Sequence, residues 1–325
     1  MRKTAADIKE VLLREYGISA TAVLETPGGW SASAYKIQAE DGDYFLKVYD
    51  KHRHSTHAWL ERIDHYMPIV LWLYGNTKLR ENMVVPVLAR DGSYGSEDEN
   101  HLYIIFPFIA GKTLANEALS LKQLRELAGI VAELHYCDMK SLPGELLREI
   151  FDNSFCDTLC DRLNEQEHSG EHMETLSPYF GTITFSIEML CKSVSCLKNA
   201  DLPFVLCHTD IHGGNLIRSA RMILVDWEGL KLAPVEADLF AFSEGFFFDD
   251  VWNEFIDFYR TANKNYRPNP QAMLYYRLRR RLKDIFEFVE SLLFDDIEHE
   301  KRNHSIQNLR SECEKLSKLL FDAEQ

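Results

Sequence analysis

Residues 203–228, PFVLCHTDIHGGNLIRSARMILVDWE, place a short β-rich interruption inside a half of the chain that otherwise reads as helix. The apolar run Phe204–Leu206 stops at a polar, glycine-bearing loop, TDIHGGN. Two short strands follow, Leu216–Ile217 and Met222–Asp226, joined by a turn. A hairpin of this kind gathers Asp210, Asn215 and Asp226 at strand ends and in one loop. Three hard oxygen donors suit Mg²⁺, which takes one or two carboxylates and completes its shell with substrate phosphates. His208 and His212 also admit a two-histidine metal reading, but that needs further ligands at matched strand ends, and the sequence offers no clear second cluster.

The upstream pattern differs. Residues 5–16 put Ile8, Val11, Leu12 and Tyr16 on one helical face, with Gly17 as the stop. Alternation predicts strands at Thr21–Glu25, Ala34–Ala39 and Tyr44–Tyr49, with TPGGWSAS and EDGD as the turns between them. Residues 56–74 read as a helix that Pro68 starts, ends or kinks. MVVPVLAR and HLYIIFPFI read as two further strands around a polar loop, DGSYGSEDEN. Past Leu114 helical periodicity takes over: SLKQLRELAGIVAELHYC is capped by Ser120, and residues 145–200 and those from Asp238 onward read as helices. The expectation is an α+β chain with five strands in residues 1–109 and a larger, mostly helical portion over 110–325.

Charge and cysteine content narrow the function classes. The formal net charge of −15 over 325 residues argues against nonspecific binding to nucleic acid or to an anionic membrane, because phosphate contacts need clustered Lys and Arg. An acidic surface draws small cationic molecules, and it also simply aids solubility. RLRRRLK (277–283) is balanced by neighbouring acids, and KHRHSTH (51–57) reads as a solvated loop. Seven cysteines without a CxxC pair fit free thiols in a reducing cytoplasm. The N-terminus lacks the apolar core of a signal peptide. The run Pro68–Tyr74 is too short to span a bilayer. A cytoplasmic monomer or homodimer is expected, with no nucleic-acid or membrane partner.

The spacing His208-x-Asp210-x-His212-x-x-Asn215, followed by Val225-Asp226-Trp227-Glu228, resembles the catalytic and metal-binding segments of the aminoglycoside phosphotransferase family. VDWEGLKLAPVEADL is most similar to its spectinomycin phosphotransferase branch. The resemblance implies a two-lobed fold like that of protein kinases. Residues 1–109 would form a nucleotide-binding lobe built on a five-stranded antiparallel sheet, and residues 110–325 a catalytic and substrate-binding lobe. It also implies ATP, or GTP, as phosphoryl donor with Mg²⁺, and a small, polar, cationic acceptor.

Carried over residue by residue, the resemblance makes Asp210 the group that accepts the proton of the acceptor hydroxyl. Asn215 and Asp226 become the metal-binding pair. His208 braces the catalytic loop, and Asp238 supports it by hydrogen bonding. Lys47 ends YFLK on the third strand, where such a fold places its phosphate-pairing lysine; Glu61 is its expected partner. Gly29, Ser31 and Ser33, in or beside the first hairpin turn, would approach the phosphates. Phe106 and Phe108, in IIFPFIAGKTL, would offer backbone groups to the base. For a cationic acceptor, carboxylates are the natural ligands: Glu228 and Asp284 are candidates, with Asp249 and Asp250, while Trp227 and Trp252 would stack on a sugar ring. Two other readings stay open: a metabolic kinase acting on choline, ethanolamine, homoserine or a sugar, and a regulatory pseudokinase. The second would have lost Lys47, Asp210, Asn215 or Asp226, and all four are present.

Overall fold

Alternation along the early strands sets the first sheet. In the computed structural model, which describes residues 3–26, 32–52, 54–115, 117–164, 171–244, 247, 251–264, 266–295 and 299–323, five strands pair antiparallel. They are β1 (Ala20–Thr26), β2 (Ser33–Ala39), β3 (Gly42–Asp50), β4 (Ser96–Glu97) and β5 (His101–Pro107), in the order β1-β2-β3-β5-β4. Tyr35 and Ile37 of β2, Leu46 and Val48 of β3, and Tyr103 and Ile105 of β5 share one face, as a period of two requires. That face packs on Ile8 and Val11 of α1 (Ala5–Val11) and on Leu12 in the π-helical turn after it. Gly17 ends the turn at φ 72°, a left-handed cap that suits glycine. Lys47 and Tyr49 point to the opposite face of β3 by the same alternation.

One expectation needs correcting. Residues 83–90 do not form the fourth strand. Pro86 has no N–H and restrains the residue before it, and the segment's link to β5 is one bond, Val87 N–H to the Ile105 carbonyl at 2.8 Å. The fourth strand is instead Ser96–Glu97, inside the segment read as loop, with Ser96 opposite Tyr103 and Glu97 opposite Leu102. Of the three outcomes open at Pro68, its place inside α2 (His54–Asn76) leaves the kink, since it neither starts nor ends the helix.

The described residues fall into two compact units. One joins Met1–Arg148 to Val205–Ala233 and Ala241–Tyr266; the other joins Glu149–Phe204, Pro234–Phe240 and Arg267–Gln325. The first unit contains the sheet above and two small ones. β6 (Lys112–Thr113), β8 (Leu216–Arg218) and β9 (Met222–Leu224) pair in the order β6-β8-β9, and β7 (Val205–Cys207) pairs with β10 (Lys231–Ala233). α3 (Leu121–His135) starts at a capping box of Ser120 and Gln123 and packs against α8 (Trp252–Ala262).

The second unit is helical: α4 (Phe155–Asn164), α5 (Glu171–Leu176), α6 (Phe180–Lys198), α7 (Glu236–Leu239), α9 (Pro270–Phe294) and α10 (His299–Ala323). α9 packs on α6 and α10, and its buried Arg281 pairs with Glu312 of α10 at 2.8 Å. Residues 173–198 are long and apolar enough to cross a membrane by length and composition alone. In this fold Ile183, Leu190, Val194 and Leu197 of that stretch are buried, as in a core helix.

Candidate active site

The loop between β7 and β8 is shaped by its own side chains. His208 is fully buried. Its Nδ1 accepts the Asp210 N–H at 3.3 Å, and its Nε2 donates to the Val225 carbonyl at 3.1 Å. These two partners assign the tautomer. The ring also meets Trp227 edge-on, with centroids 4.8 Å apart. Thr209 sits at φ 67°, and its hydroxyl donates to the Gly229 carbonyl at 2.9 Å. Such a conformation is costly for a β-branched residue and persists where surrounding contacts impose it.

Downstream of Asp210, His212 caps a single 3₁₀ turn, Gly213–Asn215. Its Nδ1 accepts the Gly214 N–H at 3.0 Å. The proton therefore lies on Nε2, which is 3.5 Å from Asp210 Oδ2. Asn215 is buried and donates its side-chain amide to both the Asp210 carbonyl, at 2.9 Å, and Asp210 Oδ2, at 3.0 Å. The Asp210 carboxylate is thus oriented by His212 and Asn215. Gly213 lets the loop dock on the residue that follows β6: a Cβ there would lie 2.5 Å from the Leu114 carbonyl oxygen.

The second acidic segment is tied to the first. Asn82 anchors β9 by donating to the Met222 carbonyl and accepting the Leu224 N–H. Val225 N–H donates to the Asn215 carbonyl at 3.0 Å. Asp226 then turns left-handed, at φ 66°, ahead of a 3₁₀ turn over Trp227–Gly229. Aspartate tolerates that conformation better than most residues.

Lys47 meets this turn from β3. Its ammonium lies 2.8 Å from Asp226 Oδ1 and 2.6 Å from Glu228 Oε1. Tyr49, two residues along the same strand and on the same face, donates its hydroxyl to Glu228 Oε1 as well. Burial alone would lower the Lys47 pKa, but the Asp226 and Glu228 carboxylates outweigh it and hold the group above the ordinary lysine range. Burial first, then the charge of Glu228, pushes Tyr49 well above its usual value, so Tyr49 is a neutral donor. Burial, then Tyr49 and Glu228, does the same to Tyr66 of α2.

Lys47, Asp210, Asn215 and Asp226 are therefore linked in one hydrogen-bonded constellation within the first unit. The other expected positions fare differently. Glu61 is exposed on α2, and the carboxylates on Lys47 are Asp226 and Glu228 instead. Glu228 is only 8% exposed and bonded to β3, so it is not placed as a surface ligand for an acceptor. Trp227 is no stacking platform: it is buried, with its indole N–H on the Leu224 carbonyl at 3.1 Å. Phe108 donates its N–H to the Asp43 carbonyl, and by the alternation of an antiparallel ladder Phe106 also faces β3. The carbonyl turned away from β3 at this strand end belongs to Pro107. Ser33 opens β2 and is exposed. Gly29, Ser31, Asp249 and Asp250 lie outside the described residues. Asp238 is fully buried in α7 and Asp284 lies on α9 beside Arg280, both in the second unit. Sequence reading missed Tyr49 and Tyr66; the signal for Tyr49 was its i+2 relation to Lys47.

Chemically, the constellation offers one oriented carboxylate at Asp210, one retained ammonium at Lys47, and hard oxygens at Asp226 and Asn215. Asn215 commits its amide nitrogen to Asp210, which leaves its side-chain oxygen as the atom for a hard cation. The donor set fits Mg²⁺ and not zinc.

No curated protein matches the chain. Among solved structures, spectinomycin phosphotransferase APH(9)-Ia, in complex with ADP and spectinomycin, is similar at TM-score 0.77 and 22% identity, over 97% of this chain and 98% of that one. A microcompartment-associated aminopropanol kinase is similar at TM-score 0.63 and 15% identity, over 98% of each chain. Macrolide 2'-phosphotransferase type I is similar at TM-score 0.57 and 14% identity, over 95% and 98%. Likeness at these identities establishes the α+β, kinase-like fold. The sequence profile of the phosphotransferase enzyme family matches residues 23–276, a span that holds Lys47, Asp210, Asn215 and Asp226, and the chain belongs to that family.

Proposed function

We propose that the protein transfers the γ-phosphoryl group of ATP to a hydroxyl of a small, polar, cationic acceptor of the aminoglycoside or aminocyclitol kind. The observation that supports this most is the Lys47–Asp226 contact, at 2.8 Å, tied through Asn215 to an oriented Asp210. Asp210 accepts the proton as the acceptor O–H bond breaks and the new O–P bond forms, and ADP leaves. Asn215 and His212 hold the Asp210 carboxylate in place. Lys47 pairs the nonreacting phosphates. Asn215 and Asp226 would hold Mg²⁺, which would supply neutralisation of phosphate charge. Catalysis is then mostly positioning and charge stabilisation.

In this reading residues 1–109 hold the nucleotide, residues 110–325 carry catalysis and the acceptor, and the enzyme works in the cytoplasm. Ser33 approaches the phosphates and His208 braces the catalytic loop. Spectinomycin-type acceptors rank first because APH(9)-Ia is the more similar fold. Amino alcohols rank second, on the likeness to the aminopropanol kinase. Asp210→Asn should keep ATP binding and lose most turnover; wild-type turnover in that variant removes the assignment. A panel of aminocyclitols, amino alcohols, homoserine and sugars, read by ATP consumption, decides the acceptor. Phosphorylation of choline or aminopropanol with no aminocyclitol turned over rejects the first choice.

A further inference from the structure

We propose that Glu228 takes the task expected of Glu61: it positions Lys47 against the nucleotide phosphates, and Tyr49 is its buried support. This deepens the phosphotransferase reading above and rests on it.

Three observations converge. First, Glu228 is turned into the protein. Its Oε1 receives both the Lys47 ammonium, at 2.6 Å, and the Tyr49 hydroxyl. Both donors come from one face of β3, two residues apart. An acid so placed is committed to that strand. Second, the backbone under Glu228 has little room to move. Trp227 before it is buried and bonded to the Leu224 carbonyl. Gly229 after it packs so closely that a Cβ would lie 2.8 Å from the His208 carbonyl oxygen. Third, the two acids on Lys47 differ in accessibility. The Asp226 side chain is 36% exposed, that of Glu228 only 9%. Asp226 is the one available to a cation. Once it turns away, Lys47, itself mostly buried, would keep an uncompensated charge unless a second carboxylate stays behind. Glu228 is that carboxylate. Glu61, exposed on the side of α2, does not contact Lys47.

The roles of Glu228 as acceptor ligand, metal ligand and lysine-positioning residue separate experimentally. Glu228→Gln keeps the shape of the side chain and removes its charge. ADP affinity of this variant is titrated calorimetrically, once in EDTA and once with Mg²⁺. A loss on the order of tenfold or more in both conditions is expected, with acceptor KM unchanged. A loss confined to the Mg²⁺ titration, or a raised acceptor KM with ADP affinity intact, overturns the proposal. Tyr49→Phe should weaken ADP binding in the same direction by a smaller factor, and Glu61→Gln should match wild type. A Glu61→Gln defect equal to that of Glu228→Gln also overturns it. A second readout needs no nucleotide: Lys47 of the free protein is labelled with an amine-reactive ester and followed by peptide mass spectrometry. Faster labelling in Glu228→Gln and Tyr49→Phe than in wild type supports the contact; equal rates refute it. ADP binding by the wild type tests the phosphotransferase reading by itself, so its failure is distinguishable from failure of the Glu228 assignment.

Discussion

Asp284 carries a measurable energetic cost, and removing its charge should stabilise the protein at neutral pH. The carboxyl lies on α9, with Arg280 at 2.9 Å and its own side chain 21% exposed. Burial nevertheless pushes it up from 3.8 to about 6; the attraction of Arg280 opposes this, and the nearby charges of Glu312 and Glu287 add to it. Two units correspond to about 3 kcal/mol at roughly 1.4 kcal/mol per unit. The folded chain binds this proton more tightly than the unfolded chain does. Stability from this group is therefore highest below pH 3.8, falls as pH rises from there through about 6, and stays low above. Asp284→Asn removes the dependence. Urea unfolding of both proteins, from about pH 4 to about pH 7, should show the variant's advantage growing across that range to about 2–3 kcal/mol. A difference that does not vary with pH, or a variant less stable at neutral pH, refutes the reasoning.

Gly229→Ala places a Cβ 2.4 Å from the Thr209 hydroxyl oxygen and 2.8 Å from the His208 carbonyl oxygen. Overpacking of this kind costs about 1–3 kcal/mol, and turnover should fall with stability because both neighbours flank Asp210; adding Thr209→Ala should recover part of the stability in thermal melts. Asp98 accepts from Lys3, from the N–H groups of Asn100 and His101 and from the Tyr103 hydroxyl. Burial would raise its pKa, but these donors outweigh it and hold the carboxyl well below the usual range, so its contribution is present above pH 3.8 and is lost as pH falls below. Asp98→Asn should cost about 1–3 kcal/mol at neutral pH and progressively less in acid, as urea midpoints at the two extremes would show.

The geometry of the loop over residues 208–215 was legible because its information is local. Asp210 and Asn215 lie five residues apart on one turn, and His208 and His212 orient that turn through bonds spanning two residues. Lys47 was legible because strand period fixes the face on which it lies. Three misreadings share a different cause. Residues 83–90 have the composition of a strand, but Pro86 limits their ladder, and pairing partners are not a property of composition. Trp227 and Glu228 follow Asp226 directly and were candidates to contact an acceptor, yet the left-handed turn at Asp226 sends both inward. Glu61 was chosen by its place on the helix after β3, whereas the partner of Lys47 comes from 181 residues downstream. That distance in sequence has a functional consequence. With Asp226 and Glu228 on one short turn, both carboxylates that meet Lys47 come from the same few residues. In the proposed function, Lys47 is thereby registered to the side of the site where Mg²⁺ would bind by the same few residues that position Asp226.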